Sequence, residues 1–243
     1  WTTIYGGKTV ANATSPTSTI TVVPGDSIIL RWTVTNGTCA ASTNDVTLVS
    51  YAQPTTANAG PDQKLCNVTS FTLAANTPTV GTGRWTTIYG GKTVANATSP
   101  TSTIAVVPGD SIILRWTVTN GNCTPSTNDV TLVSYAQPTT AAAGPDQKLC
   151  NVTSFTLAAN TPAVGTGRWT TVYGGKTVAN ATSPTSTITV APGDSIILRW
   201  TVSNGTCAAS TDDVTLVRYA QPTTAAAGPD QKLCNVTSFT LAA

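Results

Sequence analysis

Residues 111–119 read Ser-Ile-Ile-Leu-Arg-Trp-Thr-Val-Thr. Ile112, Leu114, Trp116 and Val118 fall on one side of an extended chain, and Ile113, Arg115, Thr117 and Thr119 on the other. This period of two, with β-branched and aromatic residues on the apolar side, predicts a half-buried β-strand. Pro108-Gly109-Asp110 precedes it and Asn120-Gly121 follows it, both turn signals.

Working outward, Ser70-Phe71-Thr72-Leu73-Ala74-Ala75 alternates in the same way, with Phe71, Leu73 and Ala75 together. A strand is expected from near Trp85, then a hairpin turn at Tyr89-Gly90-Gly91-Lys92. Further strands are expected over Ser102–Val107 and Val130–Val133. Turn signals every 8–12 residues and no helical period predict an all-β chain of immunoglobulin-like sandwich modules, about seven strands each.

The pattern repeats. WTTIYGGKTVANATSPTSTI begins at Trp1 and Trp85, and WTTVYGGKTVANATSPTSTI at Trp169, a period of 84 (85 − 1 and 169 − 85). Tyr51-Ala52-Gln53-Pro54, with copies at Tyr135 and Tyr219, ends a strand pattern with Pro and small residues, a linker signal. Boundaries placed there give complete modules at 54–137 and 138–221. Residues 1–53 then form the C-terminal part of one module and 222–243 the N-terminal part of another, arranged as beads on a string. Both chain ends are expected to lie inside modules of a longer polymer.

Composition narrows the function. Charged residues are 9% of the chain, against about 25% in an ordinary soluble domain. Every acidic residue is Asp, and there is no Glu, His or Met. The net charge of +2 offers no basic stripe for nucleic acid, and no apolar run suits membrane insertion. No acid–base or nucleophile constellation is visible, so no enzyme and no cofactor is expected.

Each period holds two cysteines, and an even set at regular spacing predicts disulfides in an oxidising, extracellular compartment. Two pairings respect the repeat. Cys66–Cys123 and Cys150–Cys207 would close within modules, leaving Cys39 and Cys234 to pair outside the chain. Cys39–Cys66 and its copies would instead rivet neighbouring modules. The within-module scheme is preferred, because strands of one sandwich can bring Cα atoms within disulfide reach. Closing a ~57-residue loop would stabilise a module by about 4 kcal/mol and hide that loop from extension.

The ordered set Ala59-Gly60-Pro61-Asp62-Gln63, Cys66, Leu73-Ala74-Ala75-Asn76, Gly83-Arg84-Trp85-Thr86, Ser99-Pro100-Thr101-Ser102-Thr103, Leu114-Arg115-Trp116-Thr117 and Asn120-Gly121 with Cys123 resembles a known pattern. It is similar to the Ig-like, PKD-like tandem repeats of giant surface adhesins of gliding Bacteroidota. That resemblance implies export to the cell surface and a stalk or filament role in adhesion, with no catalytic residues to carry over.

Other motifs have plain structural readings. Asp-Ser-Ile, with candidate O-glycosylation serines Ser27, Ser111 and Ser195, resembles a short bacterial glycosylation motif, although a turn Asp before a strand-starting Ser is the favoured reading. Asn67-Val68-Thr69 is a sequon that ordinary loop chemistry also explains. Gly91-Lys92-Thr93 lacks the glycine spacing of a phosphate loop. Asp129, and Asp212-Asp213, supply too few carboxylates for calcium and read as solvated turn residues, so no metal is expected. Trp85 and Trp116 could stack on sugars, but their phase puts them in the core. The expected function is a non-enzymatic stalk or filament shaft whose partners are flanking repeats of the same polypeptide. Repeated binding of glycans or other surfaces by avidity is the alternative, as is side-by-side association with other copies of itself.

Overall fold

A computed structural model describes residues 1–243. It contains fifteen strands, no helix, and two compact units, Trp1–Ala136 and Gln137–Ala243.

The first unit opens with a three-stranded antiparallel sheet of β1 (Thr2–Tyr5), β2 (Ser27–Val34) and β3 (Ser42–Val49), in the order β1-β2-β3. Six strands follow: β4 (Gln63–Cys66), β5 (Ser70–Thr72), β6 (Thr82–Tyr89), β7 (Thr103–Ala105), β8 (Ser111–Thr119) and β9 (Ser126–Tyr135). They form a four-stranded sheet, β4-β9-β8-β6, and a two-stranded sheet, β5-β7. Between these layers lies one core, including Phe71, Leu73, Trp85, Ile104, Ile112, Leu114, Trp116, Val118, Val130 and Leu132. The apolar side of 111–119 is fully covered, as the alternation requires.

The second unit repeats this with β10 (Gln147–Cys150), β11 (Ser154–Thr156), β12 (Thr166–Tyr173), β13 (Thr187–Thr189), β14 (Ser195–Ser203) and β15 (Ser210–Tyr219). Its sheets are β10-β15-β14-β12 and β11-β13, around a core including Phe155, Trp169, Ile196, Trp200 and Leu216. Residues 222–243 carry no strand.

Each sandwich therefore has six strands where about seven were expected. Thr55–Pro61 runs along the sandwich as an extra edge without ladder pairing. Two of its amides are taken by β9 side chains: Ala57 N–H donates to Ser126 Oγ and Ala59 N–H to Asn128 Oδ1, both at 2.9 Å. Gly90 and Gly91 do turn the chain, at φ of 93° and 64°. The turn is not a hairpin, because β6 pairs with β8 while the chain crosses to β7 in the other sheet.

The tryptophans pack inward. Trp85 and Trp116 face each other across β6 and β8 with ring centroids 5.0 Å apart, and Trp169 and Trp200 repeat this. Trp85 Nε1–H donates to Ser99 O at 3.1 Å, so its one polar atom is satisfied inside. No indole face in either sandwich is left for a sugar.

Candidate functional site

Three places carry side chains beyond the core: the Asp-bearing turns and strands, a groove beside β6, and the ends of the sandwich where the cysteines lie.

The aspartates hold the fold. Asp110 Oδ2 accepts Val107 N–H at 2.7 Å across the Pro-Gly turn and meets Lys92 Nζ at 2.9 Å. The Val107 amide foremost, then Lys92, holds its carboxyl below the usual carboxylate range, and Asp26 does the same with Val23 and Lys8. Asp129 lies in β9, directly opposite Arg115 of β8, and they form a two-pronged pair at 2.7 and 2.9 Å. The Arg115 hydrogen bond lowers the Asp129 pKa. Asp213 and Arg199 repeat the pair. The expectation of solvated turn aspartates is corrected for both: they are strand residues with arginine partners. Asp212 Oδ2 accepts Ala143 N–H at 2.7 Å, and Asp62 Oδ1 accepts Thr131 N–H at 2.7 Å. The sequence reading missed these amide acceptors; Asp212 keeps the phase of the buried Val214 and Leu216 in β15, and a polar residue on that inward phase was its only signal.

Ser27, Ser111 and Ser195 are exposed at the first positions of β2, β8 and β14. Their hydroxyls are accessible, while the preceding Asp is engaged in its turn. An open groove of about 550 Å³ runs beside the end of β6 and the following loop, lined by Arg84, Ile88, Tyr89, Lys92 and Val94 among others.

The cysteines depart from the expected pairing. Cys66 and Cys207 are each disulfide-bonded, whereas Cys39, Cys123, Cys150 and Cys234 are free. Neither Cys66–Cys123 nor Cys150–Cys207 forms, and the preferred within-module scheme is corrected. The topology explains why. Cys66 ends β4, which runs parallel to β9, and stands opposite Tyr135, the last residue of that strand. Cys123 instead follows the Asn120-Gly121 turn at the β8–β9 hairpin tip, where β9 has not yet begun. The ten residues of β9 separate them by about 33 Å at ~3.3 Å per residue, several times the reach of a disulfide.

The hairpin tip has another neighbour. Asn120 Nδ2–H donates to Ala52 O at 2.8 Å, and Cys123 Sγ lies 3.3 Å from Ala52 O and 3.5 Å from Tyr51 O. A Cβ on Gly121 would lie 2.3 Å from the Tyr51 ring, so only glycine, here at φ 53°, lets the tip seat on that ring.

Two facing layers of short strands around a buried tryptophan pair define each unit's core as a β-sandwich. No protein-family model and no curated protein matches the chain. Among solved structures it is similar to the PKD domain of the KIAA 1837 protein, at 24% identity over 38% of this chain and 92% of that one, TM-score 0.30. It is also similar to the insect immune protein hemolin, at 14% identity over 81% of this chain and 56% of that one, TM-score 0.34. Immunoglobulin domains 1–4 of Sidekick-1 align at 12% identity over 80% of this chain and 58% of that one, TM-score 0.45. The chain thus spans just over half the length of each of these last two.

Proposed function

We propose that the chain is a non-enzymatic structural array, part of the stalk or filament shaft of an extracellular adhesin. Its modules are 54–137 and 138–221, with 1–53 and 222–243 belonging to two further modules, and its chief partners are flanking repeats. The observation carrying this reading is the seat of the 120–123 hairpin tip on Tyr51-Ala52. A contact joining one repeat to the end of the one before suits a shaft built by stacking. The disulfide-bonded state of Cys66 and Cys207 supports an oxidising compartment outside the cytoplasm. Asp110, Asp129 and Asp213 are bound into turns and strand pairs.

Deleting one 84-residue period from the native protein tests this. A shaft shortens by one module while adhesion per appendage stays constant; adhesion that falls in proportion to repeat number refutes it. The groove beside β6, with Arg84, Tyr89 and Lys92, favours a second reading, repeated weak binding of glycans by avidity. That reading predicts glycan-array binding by this chain that Tyr89→Ala and Tyr173→Ala together abolish.

A further inference from the structure

The repeat has two kinds of cysteine, distinguished by position. Cys66 and Cys150 are exit cysteines: each ends a strand beside the last residue of its own sandwich, Tyr135 or Tyr219. Cys150 Sγ lies 3.8 Å from Gln221 Oε1, two residues further along the departing chain. Cys123 is a tip cysteine, and it lies against Tyr51-Ala52, where the preceding repeat departs. Tyr51-Ala52-Gln53 and Tyr219-Ala220-Gln221 occupy the same place in the period. The exit cysteine of one repeat and the tip cysteine of the next therefore converge on the same three residues.

We propose that the array is held by a ladder of disulfides, each joining the exit cysteine of one repeat to the tip cysteine of the next. Cys66, an exit cysteine, and Cys207, a tip cysteine, are each disulfide-bonded, as the rule requires of one member of each kind. The four free thiols fit it as well. Cys123 and Cys39 are tips whose exit partners belong to preceding repeats, and Cys150 and Cys234 are exits whose tip partners belong to following ones. Each bond forms with loss of two thiol protons and two electrons. An exchanging disulfide takes up the electrons and leaves as two thiols.

The ladder creates two interleaved covalent threads. One runs from Cys207 along the chain to Cys234 and then across a bond to a repeat two further on; the other uses Cys123 to Cys150. Each thread advances two repeats on about 27 residues, or about 95 Å fully extended. Two folded sandwiches, each at least one ten-residue strand long, already span about 66 Å at ~3.3 Å per residue. Pulling such an array gains little length even when every module unfolds. The bond topology rests on the repeat register alone, and its mechanical use rests on the shaft reading.

The test lengthens the full chain at its N-terminus by a copy of residues 54–84, which completes the sandwich begun at Trp1 and supplies one new exit cysteine. After refolding with oxidised glutathione, non-reducing peptide mapping should join the new cysteine to Cys123 and Cys66 to Cys207. Free thiols should fall from four to three although a cysteine was added. A bond from the new cysteine to Cys39, a Cys66–Cys123 bond, or a new cysteine left reduced overturns the proposal. Cys123→Ser in the lengthened chain should leave the new thiol free with Cys66–Cys207 intact; a bond formed elsewhere also overturns it. An adhesion assay that failed while the mapping succeeded would remove the shaft reading and leave the ladder standing.

Discussion

Gly83→Ala should destabilise the first sandwich selectively. Gly83 pairs with Val118 in the β6–β8 ladder, and a Cβ built on it would lie 2.0 Å from Trp116 Cζ2 and 2.5 Å from Cη2. Ordinary carbon contacts are about 3.5–4.0 Å, so the ring must retreat by about 1.5 Å or the strands must part. Trp116 cannot retreat, being fully buried and set against Trp85 at 5.0 Å. Overpacking of this kind costs about 1–3 kcal/mol, and with a rigid indole as the obstacle the upper end, about 3 kcal/mol, is expected. That is a large fraction of the roughly 5–15 kcal/mol that holds a domain together. Gly167 and Trp200 repeat the geometry in the second sandwich and serve as an internal reference. Urea unfolding followed by tryptophan fluorescence should split, one limb moving to lower urea and one staying. Gly91→Ala is the control: its Cβ meets nothing within 4 Å, so only the left-handed backbone at φ 64° opposes it, at about 1–2 kcal/mol. A Gly83→Ala loss below about 0.5 kcal/mol would refute the packing argument.

Acid should weaken the fold and neutral pH should not. Asp26, Asp110, Asp129 and Asp213 have pKa values held below the ordinary carboxylate value of 3.8. The unfolded chain therefore takes up protons first as pH falls, and their stabilisation is lost from about pH 5 downward. With no His in the chain, urea midpoints should be flat from about pH 5 to 8; a step near pH 6.5 would contradict this. Arg115→Ala removes a two-pronged but exposed pair, so it should barely move the urea midpoint in the same denaturation assay, and less still at high salt. Val46 and Leu48 of β3 are 37% and 36% exposed, whereas their counterparts Val130 and Leu132 are 2% and 0%. The segment 54–75 helps cover those counterparts, and 222–243 has the same sequence apart from Ala226 in place of Asn58. Sedimentation should therefore show concentration-dependent head-to-tail association that Leu48→Asp abolishes.

The alternation at 111–119 made the central strand and its buried face legible, and the repeated Trp1, Trp85 and Trp169 made the periodicity so. Other features had no local signature. Gln63–Cys66 is too short to alternate and follows Pro61, yet it pairs in parallel with β9 because its neighbour is fixed by the tertiary fold. Gly81-Thr82-Gly83 reads as a turn, but Gly83 lies in β6, where the missing Cβ makes room for Trp116. The bonding pattern of the cysteines was hidden for a different reason. Spacing within one period favours a short loop, while the geometry sets exit and tip at opposite ends of the same sandwich.

Single-molecule stretching of the oxidised chain from residue 1 to residue 243 tests the account most directly. Adding a reductant to the fully unfolded chain should release the roughly 140 residues spanned by Cys66 and Cys207, about 490 Å, in one event. Release of about 200 Å in each of two events would mean bonds closed within modules, and would contradict the ladder.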